Sequence, residues 1–392
     1  MRDGQGRRCP IRANDGESTY NPAMLKRVYI DNFRCFVNFE YKPERKQLLL
    51  GANGSGKSSL LEAIRLLKEF IKGRDIPFTQ SSRTRWLDRQ SQVFEVEALI
   101  QKDMRYGYRV EILYSPGSNS PLVSLERLTL GGTPVFELAK GEMRSYQDGE
   151  VLTSFVRGEA TESSLHLASF GNPFVRLFVE WMDTLHCFKI DAYETQMEET
   201  SDAPIVYPDY EMEYIASWYS HLIAVDPDGN DAFRASMKEA LSGFMNLRFS
   251  SDDDGVKKLR ADFRSPTKKR LTVSLRELSD GQRCLIALYM ILHFLVAKGH
   301  TVFFDEPDNF VSLREIQPWL LAAEQAVEDS KGQLILSSHH PEILNYWAGE
   351  YGLMFYREEN GHVRSKPFDT IAETGLPPAE TVARGWEQKP NE

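Results

Sequence analysis

Cysteine is scarce. The chain has four in 392 residues (Cys9, Cys35, Cys187, Cys284), and no two form a Cys-x-x-Cys pair. That spacing excludes a disulfide framework and a cysteine zinc site, and points to reduced thiols in a cytoplasmic protein. An excess of basic residues is also missing. Lys and Arg number 47 against 57 Asp and Glu, a net charge of −10, which excludes a general nucleic-acid coat while leaving room for a local basic patch. Long hydrophobic runs are lacking too. The longest, CLIALYMILHFLVA from Cys284, is interrupted by His293 and falls short of the roughly 18–20 residues of a membrane span, so no membrane partner is expected. Residues 1–23 are polar and turn-rich. They lack the apolar stretch of a secretory signal, and disorder is expected there. No heptad pattern, internal repeat or low-complexity tract is present.

What remains is ordinary globular composition, 41% hydrophobic and 27% charged, enough for two or three packed units. Strands are expected at Leu25–Phe36 and Lys46–Gly51. A helix is expected from Lys57 to Lys72, where Leu60, Leu61, Ile64, Leu67 and Ile71 recur at helical spacing. Short alternating segments from Val93 to Gly149 predict an antiparallel meander with one wet face. From Ser163 to Met245 the pattern is mostly helical. Beyond Lys257, apolar strands alternate with helices, which predicts a parallel α/β sheet. The pattern therefore predicts an α/β fold, a mostly parallel sheet with an antiparallel β-meander and a helical insert. A first lobe spans 24–162, a mostly helical insert 163–256 and a second lobe 257–392.

Four motifs carry chemistry. GANGSGKS (Gly51–Ser58) is the phosphate-loop pattern, in which glycines let successive N–H groups of Asn53, Gly54, Ser55 and Gly56 face phosphate oxygens. Lys57 is expected at the β- and γ-phosphates of ATP, Ser58 on Mg²⁺, and Ser59 beside them at the helix N-terminus. TVFFDEPDN (Thr301–Asn309) ends an apolar strand in Asp305, suited to the Mg²⁺ shell, and Glu306, suited to deprotonating a water. LSDGQR (Leu278–Arg283) precedes a long apolar helix. Ser279 and Gln282 fit a capping box, and the same helix start, with the Gly281 N–H, fits a γ-phosphate. LILSSHHP (Leu334–Pro341) ends a buried strand at His339 and His340, with His339 the better candidate for touching the γ-phosphate or holding the water.

In this order the four motifs resemble the ABC-type ATPase heads of Smc, RecF and OLD proteins, and IDNFRCF (Ile30–Phe36) looks like their first strand. The middle segment is similar to the meander of compact OLD-like ATPases of bacterial anti-phage systems. The resemblance implies that Arg34 lies near the phosphates. It also implies a homodimer closing around two ATP molecules, with Ser279, Gly281 and Gln282 of one copy completing the site around Lys57 of the other. It implies a separate effector, a nuclease or toxin, controlled by the ATPase. An alternative is a RecF- or Smc-like DNA clamp, motivated by the basic run at 257–276, KKLRADFRSPTKKRLTVSLR. Three departures stand out. Val311, Ser312 and Leu313 replace the usual Leu-His-Pro after the acidic pair. His340 replaces Ser or Thr. The magnesium-shell glutamine could be Gln80, Gln90 or Gln92. SSDDDGV (Ser250–Val256) lacks metal-loop spacing and reads as a turn.

Overall fold

The computed structural model describes residues 23–101, 104–115, 121–190, 200–201, 203–251, 256–368 and 376–385. Of the disorder expected at 1–23, residues 1–22 lie outside them, as do residues 252–255 of the turn expected at Ser250–Val256, whose Ser250 and Ser251 instead end a strand.

Three sheets organise the described residues. The first is eight-stranded and antiparallel. It contains β1 (Met24–Asp31), β2 (Phe39–Tyr41), β4 (Ser91–Ile100), β5 (Met104–Leu113), β6 (Leu122–Leu130), β7 (Thr133–Ala139), β8 (Glu142–Gln147) and β9 (Glu150–Val156). Their order is β2-β1-β4-β5-β6-β7-β8-β9, so the expected meander is present and extends to Val156. Strict alternation in β4 buries Phe94, Val96, Ala98 and Ile100 on one face, the period-2 signature of a half-wet sheet. The strand expected at Leu25–Phe36 ends at Asp31. Asn32 and Arg34 take left-handed φ angles of 60° and 51°, which turn the chain out of the sheet.

The second sheet comprises β3 (Lys46–Leu50), β10 (Leu185–Phe188), β14 (Thr301–Asp305), β15 (Gln333–Ser337), β16 (Gly352–Arg357) and β17 (Val363–Pro367). Its order is β10-β14-β15-β3-β16-β17. The first five strands run parallel and β17 returns antiparallel. Every residue of β14 and β15 is buried, because both sheet faces are covered. Alternate residues serve different cores. Val302, Phe304, Leu334 and Leu336 enter one cluster, and Phe303, Ile335 and Leu49 enter the other, against the meander. The third sheet is β11 (Phe244–Ser251), β12 (Lys257–Arg264) and β13 (Arg270–Ser274), antiparallel in that order.

Helices cover the parallel sheet. α1 is Lys57–Ile71, α2 Leu165–Ser169, α3 Pro173–Asp183, α4 Ile215–Val225, α5 Pro227–Ala240, α6 Asp280–Phe294, α7 Leu313–Ser330, α8 Pro341–Tyr351 and α9 Pro378–Ala383. Residues 163–256, expected as one mostly helical insert, are divided instead. α3 packs Val175 and Phe178 under the meander. β10 joins the parallel sheet as its edge. α4 and α5 pack against α6 through Trp218, Phe233 and Phe294. The four residues of β10, Leu-His-Cys-Phe, are too few to declare a strand by periodicity. The stretch Asp280–Lys298 is long and apolar enough to cross a membrane, yet 67% of its apolar window is buried inside the protein, which is where a core helix belongs.

Gln333 locks the two large sheets together. Its buried carboxamide accepts from Leu25 N–H (2.7 Å) and Thr301 Oγ1 (3.1 Å) and donates to the carbonyls of Leu25 (3.0 Å) and Glu44 (3.2 Å). A side-chain amide has two donors and an acceptor oxygen, and here all are used.

Candidate functional site

The site begins where β3 meets α1. Gly51, Gly54 and Gly56 have φ of 138°, 78° and 110°, conformations that other L-residues rarely adopt. Gly56 caps α1 without a side chain, so the first N–H groups of the helix are left for a ligand. Lys57 is buried, and its ammonium donates to Gly51 O (2.6 Å) and Ala52 O (3.4 Å). Burial lowers its pKa, partly offset by Glu306 and Asp305. The Ser55 hydroxyl is buried without a hydrogen-bond partner among the described residues. Asn53, Gly54, Ser55, Gly56, Lys57, Ser58 and Ser59 all line one cavity of about 670 Å³.

The acids arrive on β14, two strands away across β15. Asp305 is buried and accepts from Ser337 Oγ (2.6 Å). The next residue, Glu306, has φ of 50° and donates its N–H to Ser337 O (2.9 Å). This left-handed bend takes Glu306 out of the strand, onto the walls of two cavities: the 670 Å³ cavity and a neighbour of about 920 Å³ shared with His339. His339 Nε2 lies 4.0 Å from Glu306 Oε1, and Asn309 Nδ2 donates to Oε2 (3.3 Å). Burial first, and Lys57 second, lower the His339 pKa, so the ring is neutral at neutral pH. The β3, β14 and β15 ends are adjacent at the carboxyl edge of the parallel sheet, where open α/β sheets bind ligands.

Other expected residues fall elsewhere. His340 is an N-cap: its Nδ1 accepts from Glu342 N–H (3.2 Å) at the start of α8. Ser279 and Gln282 form the reciprocal capping box of α6, at 3.3 and 3.0 Å. A Cβ on Gly281 would meet Phe310 O at 2.8 Å, so glycine lets the loop after the acidic pair pack on this helix start. Ser279, Gly281 and Gln282 line neither of the two cavities that Glu306 borders. Ser312, in the departure after the acidic pair, starts α7 in a capping box with Glu315.

Arg34 does border the cavity, where its guanidinium pairs with Glu62 at 2.5 Å. Gln92 is a core residue, donating to Asn32 O (2.8 Å) and accepting from Tyr114 Oη (2.5 Å). None of Gln80, Gln90 and Gln92 lines the cavity. The basic run forms the β12–β13 hairpin. There Arg248 and Arg270 both pair with buried Asp262, and Lys268 and Lys269 are exposed at the turn. Sequence reasoning missed Arg83, Arg85, Trp86 and Arg357, which also line the cavity. The first three sit in a stretch that reads as a polar loop, with its arginine density the available signal. Arg357 is some 300 positions from the Gly54 carbonyl that it holds at 2.9 Å, and nothing local announces it.

Residues 24–105 match the family described as AAA ATPase domain, and residues 222–345 the family described as AAA domain, putative AbiEii toxin, Type IV TA system. The chain is similar in structure to an SmcHead bound to the C-winged helix domain of ScpA. The match has 11% identity and a TM-score of 0.53, covering 90% of this chain and 99% of that one. An SMC head domain from Thermotoga maritima matches with 13% identity and a TM-score of 0.46, covering 88% and 99%. No curated protein matches in sequence. The matched families bind ATP, typically with Mg²⁺, and support ATP hydrolysis in general. The chain has the P-loop fold of the ABC-type ATPase heads of SMC proteins, and the segments holding its phosphate loop and its acidic pair match AAA ATPase families.

Proposed function

We propose that this chain is an ATP-hydrolysing switch that works as a homodimer and controls a separate effector, a nuclease or toxin, in bacterial anti-phage defence. The observation that carries the ATPase part is the convergence of Lys57, Asp305, Glu306 and His339 at adjacent strand ends beside a glycine-lined cavity. The residues fit a magnesium-bound triphosphate. The Lys57 ammonium is held by two loop carbonyls of its own turn, and a buried Ser55 hydroxyl has no hydrogen-bond partner among the described residues; phosphate oxygens satisfy both. Ser58 and Asp305 would hold the ion, whose bound charge neutralises the β- and γ-phosphates. Lys57 moves from Gly51 and Ala52 onto those phosphates. Glu306 takes the proton from an attacking water as its oxygen bonds to the γ-phosphorus and the β–γ bridge breaks. His339, neutral and near Glu306, accepts or donates one hydrogen bond to that water. ADP and phosphate leave.

The dimer rests on the placement of Ser279, Gly281 and Gln282. In their own chain they line neither cavity that Glu306 borders, which fits a contribution in trans. Such a pairing is the reading that makes ATP the glue and hydrolysis the release. The effector reading draws on the toxin–antitoxin description of one matched family, and on the winged-helix partner named for the similar SmcHead. The exposed turn at Lys268 and Lys269 keeps a DNA clamp as the second reading, tested by salt-dependent duplex binding.

The decisive experiment is the solution mass of Glu306→Gln with and without Mg-ATP. The variant keeps the shape of the side chain and removes the base. Expected are a monomer without nucleotide, a dimer with it, and turnover down by roughly 10²–10⁴-fold, the usual worth of a general base. A mass indifferent to ATP would defeat the dimeric switch. Turnover at the normal rate would defeat Glu306 as the base.

A further inference from the structure

We infer that Trp86 is the platform for the nucleobase, making the site selective for purine nucleotides over inorganic polyphosphate. The inference rests on the nucleotide reading above and goes further, because it divides the cavity into a phosphate end and a base end.

The phosphate end is the glycine turn with Lys57. Around it the cavity wall carries Arg34, Arg83, Arg85 and Arg357, a surround suited to a polyanion. Among the described residues, Trp86 is the one large aromatic lining the cavity. It is 45% exposed, although burying an indole of this size is strongly favourable. Of the six tryptophans in the chain, Trp181, Trp218, Trp319 and Trp347 are buried; Trp386 lies outside the described residues. An indole left half open beside an arginine-lined cavity has the right chemistry to take a flat, apolar ring.

Its support is tied to the phosphate loop. The six-membered ring of Trp86 lies against Gly361 in the β16–β17 turn. A Cβ built on Gly361 would meet ring carbons Cζ2, Cε2 and Cη2 at 3.5, 3.7 and 3.9 Å. Gly361 has φ of 82°, so glycine suits both the turn and the flat contact. In the same hairpin, Arg357 Nε donates to Gly54 O at 2.9 Å, and its Nη1 reaches Gly361 O at 3.5 Å. One arginine thus fixes the distance between the turn that cradles phosphate and the turn that backs the indole. A cavity of about 670 Å³ lies within the usual range for small-ligand sites.

Stacking on an aromatic ring depends on the π-face of the base and leaves the phosphates untouched. The test is calorimetric titration of the full chain with ATP, CTP and inorganic tripolyphosphate, as wild type, Trp86→Ala, Trp86→Phe and Lys57→Ala. Expected is a ten- to hundredfold loss of ATP affinity in Trp86→Ala and a smaller loss for CTP. Tripolyphosphate binding should be unchanged, and Trp86→Phe should recover most of the ATP affinity. In parallel, saturating ATP should shield the indole fluorescence of the wild type from iodide quenching, with Trp86→Phe as the blank for the other tryptophans. ATP binding that depends on Lys57 yet stays within twofold in Trp86→Ala, with no shielding, overturns the platform and leaves the nucleotide site standing. Wild type and Lys57→Ala equally unable to bind ATP would overturn the nucleotide reading itself, and the platform with it.

Discussion

Gly51 and Gly54 sit three residues apart in the same turn, and alanine should affect them very differently. A Cβ on Gly51 would lie 2.3 Å from Phe355 O and 2.8 Å from Ser55 Oγ. The Phe355 carbonyl cannot retreat cheaply. Its strand is paired with β3 one residue earlier, at Met354 and Leu50, and the Phe355 ring is packed against Phe39 and Tyr41. Overpacking of this kind costs about 1–3 kcal/mol, and φ of 138° adds about 1–2 kcal/mol of backbone strain for any residue with a Cβ. The sum is about 2–5 kcal/mol. At Gly54 no described residue lies within 4 Å of the new methyl, so only the strain of φ 78° remains, about 1 kcal/mol. Urea unfolding of Gly51→Ala and Gly54→Ala measures both. With a slope of about 3 kcal/mol per molar, the midpoint falls by roughly 1 M for Gly51→Ala and by about 0.3 M for Gly54→Ala. Equal midpoints would refute the argument that the phosphate loop is pinned by β16.

Two other perturbations probe separate parts of the molecule. Ser279→Arg removes the side-chain cap of α6, a stability cost of about 1 kcal/mol. On the dimer proposal it leaves ATP binding by the single chain intact and blocks nucleotide-dependent dimerisation; a variant that dimerised and hydrolysed at the wild-type rate would end the shared-site model. His293 tests a pH effect. Burial pushes its pKa down to about 4, with Lys298 assisting, while its Nε2 meets Ser236 Oγ at 2.8 Å. The unfolded chain binds a proton near pH 6.5 that the folded chain refuses until about pH 4. Stability is therefore lost as pH falls through that window, by about 1 kcal/mol per pH unit from this group. His293→Gln should have a shallower stability profile between pH 6 and 5 than the wild type, measured by urea unfolding, and parallel profiles would contradict the assignment.

Much of this protein was legible in the sequence because its chemistry is local. The glycines that bend the phosphate loop, Lys57 one residue into its helix, and the acids at the end of an apolar strand are each fixed by neighbours a few positions away. So is the alternation of the meander. Backbone geometry and side-chain period act over that range, and a chain cannot disguise them. The capping box at Ser279 was equally readable, although its two possible meanings were not separable there.

Tertiary structure decided what depends on distant partners. β10 is a strand because β14 offers it an edge, and its four residues carry no pattern of their own. Gln92, open as a magnesium-shell candidate in the sequence, is committed to the core by Asn32 and Tyr114. His340 became a helix cap once α8 started beside it. Arg357 and Trp86 joined the cavity because the β16–β17 hairpin folds back onto the phosphate loop, a closure between segments roughly 270–300 residues apart. Sequence by itself determined most of the elements and the chemistry carried by each motif loop. Which loops share a cavity was settled only by packing, since burying two cores on either face of one parallel sheet brings those strand ends together.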